Sequence, residues 1–164
     1  MKKIIILSFI LVSTFTNAQA YKGKGDVKFQ VGGNFQKWGS GISTSVDFGI
    51  GENMSYGFVA SYLLNTNQDY GMPKFGDRVD LKARFNANIG NVLKMSDKVD
   101  IYPGLDVGLR NFGAHLGARY FFTDGFGVYS EAGFPIAKYD TNPTSDYYNL
   151  NNQFVFTIGA SFNL

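Results

Sequence analysis

The chain has 164 residues, 15 basic and 13 acidic side chains, and no cysteine. This length indicates one domain, and the missing cysteines exclude a disulfide framework. Once residues 1–20 are set aside as a leader, thirteen basic residues face thirteen acidic ones. A neutral chain gives no electrostatic reason to expect a nucleic-acid partner.

The first twenty residues predict a cleaved signal peptide. A short basic start is followed by an apolar run over residues 4–12, and the chain then becomes small and polar up to Ala20. This is the three-part layout of a secretory leader. The apolar run is about half of the roughly 20 residues that a membrane-spanning helix needs. We expect cleavage after Ala20, so that residues 21–164 form a single barrel domain.

Beyond a polar lead that we expect to be flexible, polar and apolar side chains alternate with a period of two. Successive residues of a strand point to opposite faces, so this period predicts an all-β domain. The clearest example is residues 78–89, in which every even-numbered side chain is polar and every odd-numbered one is apolar. The predicted strands are 26–36, 41–51, 55–64, 78–89, 98–109, 112–122, 126–134 and 153–164, with long polar loops at 65–77 and 135–152.

Two positions within this pattern carry local expectations. Pro103 cannot donate to a strand ladder, so we expect a bulge or a missing hydrogen bond in the fifth strand. Phe122 and Phe126 pair on one face only if the hairpin between them has three residues. Such hairpins commonly hold a glycine in the left-handed region, which predicts that conformation for Gly125.

The decisive question is which strand face lies outside, because a soluble sandwich or a lipocalin-like barrel also alternates. Glycines recur on the polar face, as at Gly57, Gly104 and Gly117. Glycine gains nothing on a solvated strand, but it fits the narrow interior of an eight-stranded barrel. The strands also have the 9 to 12 residues of a tilted membrane crossing. The sequence therefore predicts an eight-stranded antiparallel up-and-down transmembrane β-barrel.

The charges on the polar face balance, as a confined lumen requires, because an uncompensated buried charge costs several kcal/mol. We expect Asp106 to face His115 directly, across a two-residue hairpin at Arg110 and Asn111, with Lys82 nearby. The predicted lumen charge network consists of Lys28, Asp47, Asp80, Lys82, Arg84, Asp100, Asp106, His115, Arg119 and Glu131.

Aromatic residues gather near the predicted strand ends, as in the aromatic girdles of membrane barrels. For any one of them a place in an apolar core is an equal alternative, so the collective placement carries the prediction. The predicted girdle consists of Phe48, Tyr56, Tyr62, Phe112, Tyr120, Phe122, Phe126, Phe134 and Phe162.

The sequence offers little for catalysis or metal binding. His115 is the only histidine, which excludes metal sites built from two or more imidazoles. A Ser-His-Asp set needs all three groups within hydrogen-bond reach, and only Asp106 is expected near His115. We therefore predict a hydrogen-bonding role for His115, no catalytic residues, no cofactor and no metal site.

Two segments carry a resemblance to a known family. Residues 117–127, Gly-Ala-Arg-Tyr-Phe-Phe-Thr-Asp-Gly-Phe-Gly, resemble a turn of small OmpA-like and opacity-type outer-membrane barrels. The chain end resembles the C-terminal signal that the barrel-assembly machinery reads, although Leu164 replaces the usual final Phe. The residues that carry this second resemblance are Phe154, Phe156, Ile158, Phe162 and Leu164.

The resemblance implies an integral protein of the outer membrane of a Gram-negative cell, surrounded by outer-membrane lipid, but no single activity. From the residues themselves we expect that the protein is not an enzyme. We expect a structural or surface-interaction role, with the lumen plugged by balanced charged and small side chains. Loops 65–77 and 135–152 are the candidate surface for a partner. Two alternatives stay open: a narrow pore, and a secreted lipocalin-like binder of a small apolar ligand.

Overall fold

The alternating pattern folds into a closed barrel in the structure, a computed structural model that describes residues 19–66, 73–140 and 149–164. In this described part, each strand pairs antiparallel with the next, and the last pairs with the first. The elements are β1 Val27–Gln36, β2 Gly39–Gly49, β3 Met54–Thr66, the one-turn helix α1 Phe75–Arg78, β4 Val79–Ala87, β5 Val99–Gly108, β6 Asn111–Phe121, β7 Phe126–Lys138 and β8 Val155–Asn163.

The polar face of each strand lines the lumen, and the apolar face forms the outer wall. Lys28 and Asp47 are each 1% exposed, whereas Leu81 is 49% exposed and Phe58 is 54% exposed. A water-soluble barrel has the opposite polarity, with its apolar face inward. The predicted transmembrane barrel is therefore confirmed as the fold class.

An even number of strands places both chain termini at one end of the barrel, here called the termini end. The connections 50–53, 88–98 and 122–125 also lie at this end. The opposite end, here called the loop end, carries residues 37–38, 73–78, 109–110, 139–140 and 149–154 of the connections. Residues 67–72 and 141–148 of the predicted loops lie outside the described residues. No helix in the described ranges is long and apolar enough to cross a membrane.

Close approach inside the narrow lumen explains the glycines on the polar face. A Cβ at Gly117 would overlap the ring of Tyr102, and one at Gly104 would overlap the ring of His115. Tyr102 has no exposed surface, and His115 is 3% exposed. Glycine therefore makes room for large lumen side chains on the neighbouring strand.

Two strands extend further toward the loop end than the sequence pattern predicted. β3 continues to Thr66 and β7 to Lys138, so the predicted loops 65–77 and 135–152 begin too early. In β7 the strand passes through Pro135, which is paired with Gly113 beside a register shift. A proline that cannot donate is accommodated at such an irregularity, which is why it did not end the strand.

The outcomes at Pro103 and Gly125 differ. The register pairs between β4 and β5 stop at Asn86 and Gly104, next to Pro103, while pairing with β6 continues through it. This agrees with the expected interruption of one ladder. Gly125, however, lacks the predicted left-handed conformation. The turn is held by the amide of Phe126, which donates to the Thr123 hydroxyl at 3.1 Å, so it needs no positive φ.

Candidate functional site: the charged lumen

The lumen is the candidate site because it holds most of the buried charge of the described chain. All ten residues of the predicted lumen charge network lie on strands and face inward. Eight of them are buried, and the side chains of Lys82 and Glu131 keep 19% and 15% of their surface exposed. The structure divides these residues into clusters around Arg84, Arg119, His115 and the two lysines.

Arg84 on β4 is the centre of the largest cluster. Its Nε and one terminal nitrogen donate to the two carboxylate oxygens of Asp47, each at 2.7 Å. Its other terminal nitrogen donates to Glu131 at 2.9 Å. The Gln30 carbonyl oxygen and the Ser45 hydroxyl also accept from Arg84, both at 3.0 Å. This planar cation therefore connects β1, β2, β4 and β7 across the lumen.

Arg119 on β6 forms the second cluster, toward the termini end. Its Nε donates to Asp100 at 3.1 Å, and a terminal nitrogen donates to Asn88 at 2.7 Å. The guanidinium carbon lies 4.2 Å from the centre of the Tyr102 ring, within cation–π range. The other terminal nitrogen lies 3.8 Å from Asp47, so Asp47 links the two arginine clusters.

The two lysines each meet a nearby acid rather than a partner deep in the lumen. Lys28 forms an ion pair with Asp26, and its ammonium lies 5.4 Å from the centre of the Phe121 ring. Lys82 lies 3.7 Å from Asp80. Lys82 and Asp106, which were predicted to lie close together, line the same cavity of about 40 Å³.

His115 contacts Asp106, although the predicted register was wrong. The connection between β5 and β6 is 109–110, which shifts the pairing by two residues and places His115 opposite Gly104. The contact is diagonal: Nδ1 of His115 lies 3.0 Å from Asp106, and Nε2 lies 2.8 Å from the side-chain oxygen of Asn86. Both ring nitrogens are thus occupied, Nδ1 by the Asp106 carboxylate and Nε2 by the Asn86 side-chain oxygen.

The segment before β1, here called the N-terminal segment (residues 19–26), lies at the termini end of the lumen. The Tyr21 hydroxyl donates to the backbone oxygens of Gly51 at 3.0 Å and Met54 at 2.6 Å. Tyr21 is 3% exposed. Burial and the neighbouring Asp26 carboxylate raise the pKa of the Tyr21 hydroxyl to about 12.

Residues just before β8 lie at the loop end and contact β1 and β6 there. Asn151 is 2% exposed and adopts a φ of 57°, a left-handed conformation that asparagine tolerates better than most residues. Its backbone amide donates to the Gln36 side chain at 2.9 Å. Asn111 donates to the backbone oxygen of Asn151 and to the side-chain oxygen of Asn152, both at 3.0 Å.

Sequence reasoning missed several residues that complete the lumen. Gln30 and Tyr102 share the polar faces of their strands, so the alternation could have included them. Tyr21, Asn151 and Asn152 lie outside the strands, where the two-residue period gives no signal. Arg110, which was expected in the hairpin, lies in the connection 109–110 and donates to the backbone oxygen of Gly76 at 2.6 Å.

The predicted girdle residues all face the outer wall, where each is half-buried or exposed. At the termini end several rings form a continuous row: Phe122 lies 6.0 Å from Phe126, which lies 5.6 Å from Phe162. Phe48 and Tyr56 form a further pair with centres 5.4 Å apart. The predicted assembly-signal residues also reach outward, on or beside β8: Phe154, Phe156, Ile158, Phe162 and Leu164.

Within the described ranges, no group of three or more His, Cys, Asp or Glu side chains has the geometry to hold a metal ion. The ion pairs that are present, such as Arg84 with Asp47 and Arg119 with Asp100, neutralise one another's charges within the lumen. A buried ion pair is stable only when further hydrogen bonds satisfy its remaining polar atoms, and Arg84 meets this condition.

Comparison with solved structures identifies the architecture. A structure from work on the de novo design of transmembrane β-barrels matches with a TM-score of 0.53 and 10% identity, covering 87% of this chain and 98% of the designed chain. The solution NMR structure of outer membrane protein G from Pseudomonas aeruginosa matches with a TM-score of 0.48 and 11% identity, covering 88% of this chain and 99% of the other.

Comparison with curated proteins gives no match. A comparison with protein families, in contrast, gives a match over nearly the whole chain, including every strand of the barrel. Residues 11–164 match the model of a family of unknown function, DUF6646, and the chain belongs to that family.

Proposed function

We propose that the protein is an integral outer-membrane β-barrel with a structural or surface-interaction role, and that its lumen is plugged rather than open. In this proposal the leader directs export, and the barrel spans the outer membrane of a Gram-negative cell. The resemblance of residues 117–127 to OmpA-like and opacity-type barrels supports the same assignment, as does the fold shared with a designed transmembrane barrel.

The outer wall supports a membrane location. Large apolar side chains are exposed all around the barrel, for example Phe58 at 54%, Leu116 at 53% and Ile158 at 51%. Contiguous apolar surface of this extent is rare on soluble monomers. The aromatic row at the termini end has the position expected of an interfacial girdle.

The observation that carries the plugged lumen is the coordination of Arg84. Its guanidinium is fixed on two sides by Asp47 and Glu131, from opposite parts of the wall. A group held by several charge-assisted hydrogen bonds does not leave its place without exposing unpaired charge. Tyr21 and Asn151 close the two ends in addition, which favours the plug over the narrow pore.

The lipocalin-like alternative needs an apolar cavity for its ligand. The cavity beside Lys82 has a volume of only about 40 Å³ and is lined largely by polar and charged side chains. It suits ordered water better than an apolar molecule, so this alternative has no support from the lumen.

Fractionation and conductance test the proposal. The expressed protein should sediment with outer membranes, need detergent for extraction, and migrate differently on a gel before and after boiling. Reconstituted into planar bilayers, it should show no steady channels. A protein that is soluble without detergent contradicts the membrane assignment, whereas a membrane-extracted protein with robust channels contradicts only the plug.

Two partnerships belong to this proposal. The barrel-assembly machinery would read the C-terminal residues, and a surface partner would bind the loop end through the loops predicted at 65–77 and 135–152. The outward side chains of Phe156 and Ile158 are accessible to the first. Removing residues 162–164 should lower the heat-modifiable fraction while precursor export continues. An undiminished fraction would exclude these residues as the signal.

A further inference from the structure

The first described residues are built into the wall at the termini end. Ala20 is 1% exposed and packs with Phe121, which has no exposed surface. The backbone amide of Ala20 donates to the oxygen of Asp97 at 2.6 Å. The carbonyl of Gln19 accepts from the Asn163 side chain at 3.4 Å. Both residues therefore make the contacts of a folded domain rather than those of a discarded leader.

The contacts continue without a break from Ala20 into β1. Tyr21 is held by the carbonyls of Gly51 and Met54. The backbone amides of Gly25 and Gly49 then donate to Gly49 and Asp26, respectively, which pairs the N-terminal segment with the end of β2. Ala20 is thus the first link of a segment that closes the lumen.

Cleavage after Ala20 would remove part of this closure. It would delete the methyl group that packs with Phe121 and the amide that donates to Asp97. It would also place a charged α-ammonium group on Tyr21, which is 3% exposed. Burying a charge without a partner costs far more than burying a peptide group. Gln19 is only half-buried, so a new terminus there meets less of this cost.

The sequence offers a second cleavage position two residues earlier. Leader cleavage follows small residues at the last and third-last positions of the leader. Ala18 and Thr16 supply small side chains at these positions for a cut before Gln19. Both positions are therefore acceptable to the protease, and the burial of Ala20 distinguishes between them.

We propose that the processing site lies between Ala18 and Gln19, so that the mature chain keeps Gln19 and Ala20 as part of the closure at the termini end. This inference rests on the proposed export of the protein. It replaces the expectation of cleavage after Ala20.

N-terminal sequencing and intact-mass measurement of the full-length expressed protein, purified from the outer-membrane fraction, test the proposal. The expected first residue is Gln19, with a mass larger than that of residues 21–164 by Gln19 and Ala20. A chain that begins at Tyr21 overturns the processing site but leaves export intact. A chain that still begins at Met1 and is absent from membranes overturns the proposed export itself.

Two substitutions give an independent readout before folding begins. Ala18→Leu should leave uncut precursor in pulse labelling, because it enlarges the last residue of the leader. Ala20→Leu should be cut as fast as wild type, because it lies beyond the proposed site. If cleavage followed Ala20 instead, both substitutions would enlarge a recognition residue and both precursors would accumulate.

Discussion

Arg84 illustrates how a charged side chain becomes part of a membrane protein's interior. An isolated cation would not be stable there, but the alternation of the strands brings Asp47 and Glu131 within reach from two other strands. Gln30 and Ser45 also accept from the terminal nitrogen that donates to Asp47. Arg84 is stable in the lumen only together with these acceptors, so removing one charged member of the cluster leaves its partners unpaired.

Arg84→Met should lower the free energy of unfolding by about 3–5 kcal/mol, the range for breaking a buried ion pair from one side. Lys82→Met is the control, because its ammonium is 3.7 Å from Asp80 and its side chain is 19% exposed. Guanidinium unfolding of both variants in lipid vesicles gives the comparison. Equal losses of unfolding free energy in the two variants would show that the Arg84 cluster contributes no more to stability than the contact between Lys82 and Asp80.

Gly117→Ala tests the argument that glycine makes room for lumen side chains. Its Cβ would overlap the ring of Tyr102, and such overpacking costs about 1–3 kcal/mol. Gly133→Ala is the matched control on the lumen face, because its Cβ would meet only ordinary contacts at 3.9 Å and 4.0 Å. Thermal unfolding in detergent should separate the two; the same loss in both would point to backbone strain instead.

At the scale of the element, the residues of a strand differ in their depth in the membrane as well as in the face on which they lie. Leu116 lies at the middle of β6, and Leu109 lies in the connection 109–110 at the loop end. Both are strongly exposed on the outer wall, at 53% and 64%. The same substitution at the two positions therefore reports depth with side-chain type held constant.

Leu116→Arg should cost about 2–4 kcal/mol in bilayers, and Leu109→Arg about 0–1 kcal/mol, because the penalty for a lipid-facing arginine falls toward the interface. Unfolding titrations in vesicles measure both. The two costs should become similar in detergent micelles, where the hydrocarbon layer adapts. A larger cost for Leu109→Arg would mean that the membrane surrounds a different part of the barrel.

The N-terminal segment provides a test with pH. The pKa of Tyr21 is raised to about 12 in the folded protein, above the value near 10 of an unfolded tyrosine. The folded state then holds this proton more tightly, so stability is unaffected below about pH 10 and falls as the pH rises toward 12. Tyr21→Phe should lose less stability over this interval than wild type, in unfolding titrations at matched pH. Identical pH profiles would show that Tyr21 is not buried.

The sequence predicted those strands in which polar and apolar side chains alternate with a period of two residues throughout. Residues 78–89 alternate throughout, and β4 lies within them with Leu81 outward and Arg84 inward. The register of β5 and β6 was two residues off, because turn length is set by local backbone geometry that the alternation does not encode. The contacts of Tyr21 with Met54 and of Asn151 with Gln36 also had no sequence signal, because they join segments that lie far apart in the sequence.

At the scale of the whole molecule, the closure that we propose for the lumen is distributed along the axis. Tyr21 lies at the termini end, Arg84 in the middle, and Asn151 at the loop end. The resistances of consecutive sections of the lumen to ion flow add, so the narrowest section that remains sets the conductance. The opening of one section therefore has little effect while the other two stay closed.

This arrangement predicts how channels would appear. Replacing a central pair alone, with Arg84→Ser and Glu131→Gln so that Asp47 keeps Arg119 at 3.8 Å, avoids a stranded charge and should leave the barrel silent in planar bilayers. Adding Tyr21→Gly and Asn151→Gly opens all three sections and should produce discrete conductance steps. Heat-modifiable migration of each variant verifies that it is folded before recording. Channels of equal size from the central pair alone would mean that neither end closes the lumen, and that Arg84 by itself forms the plug.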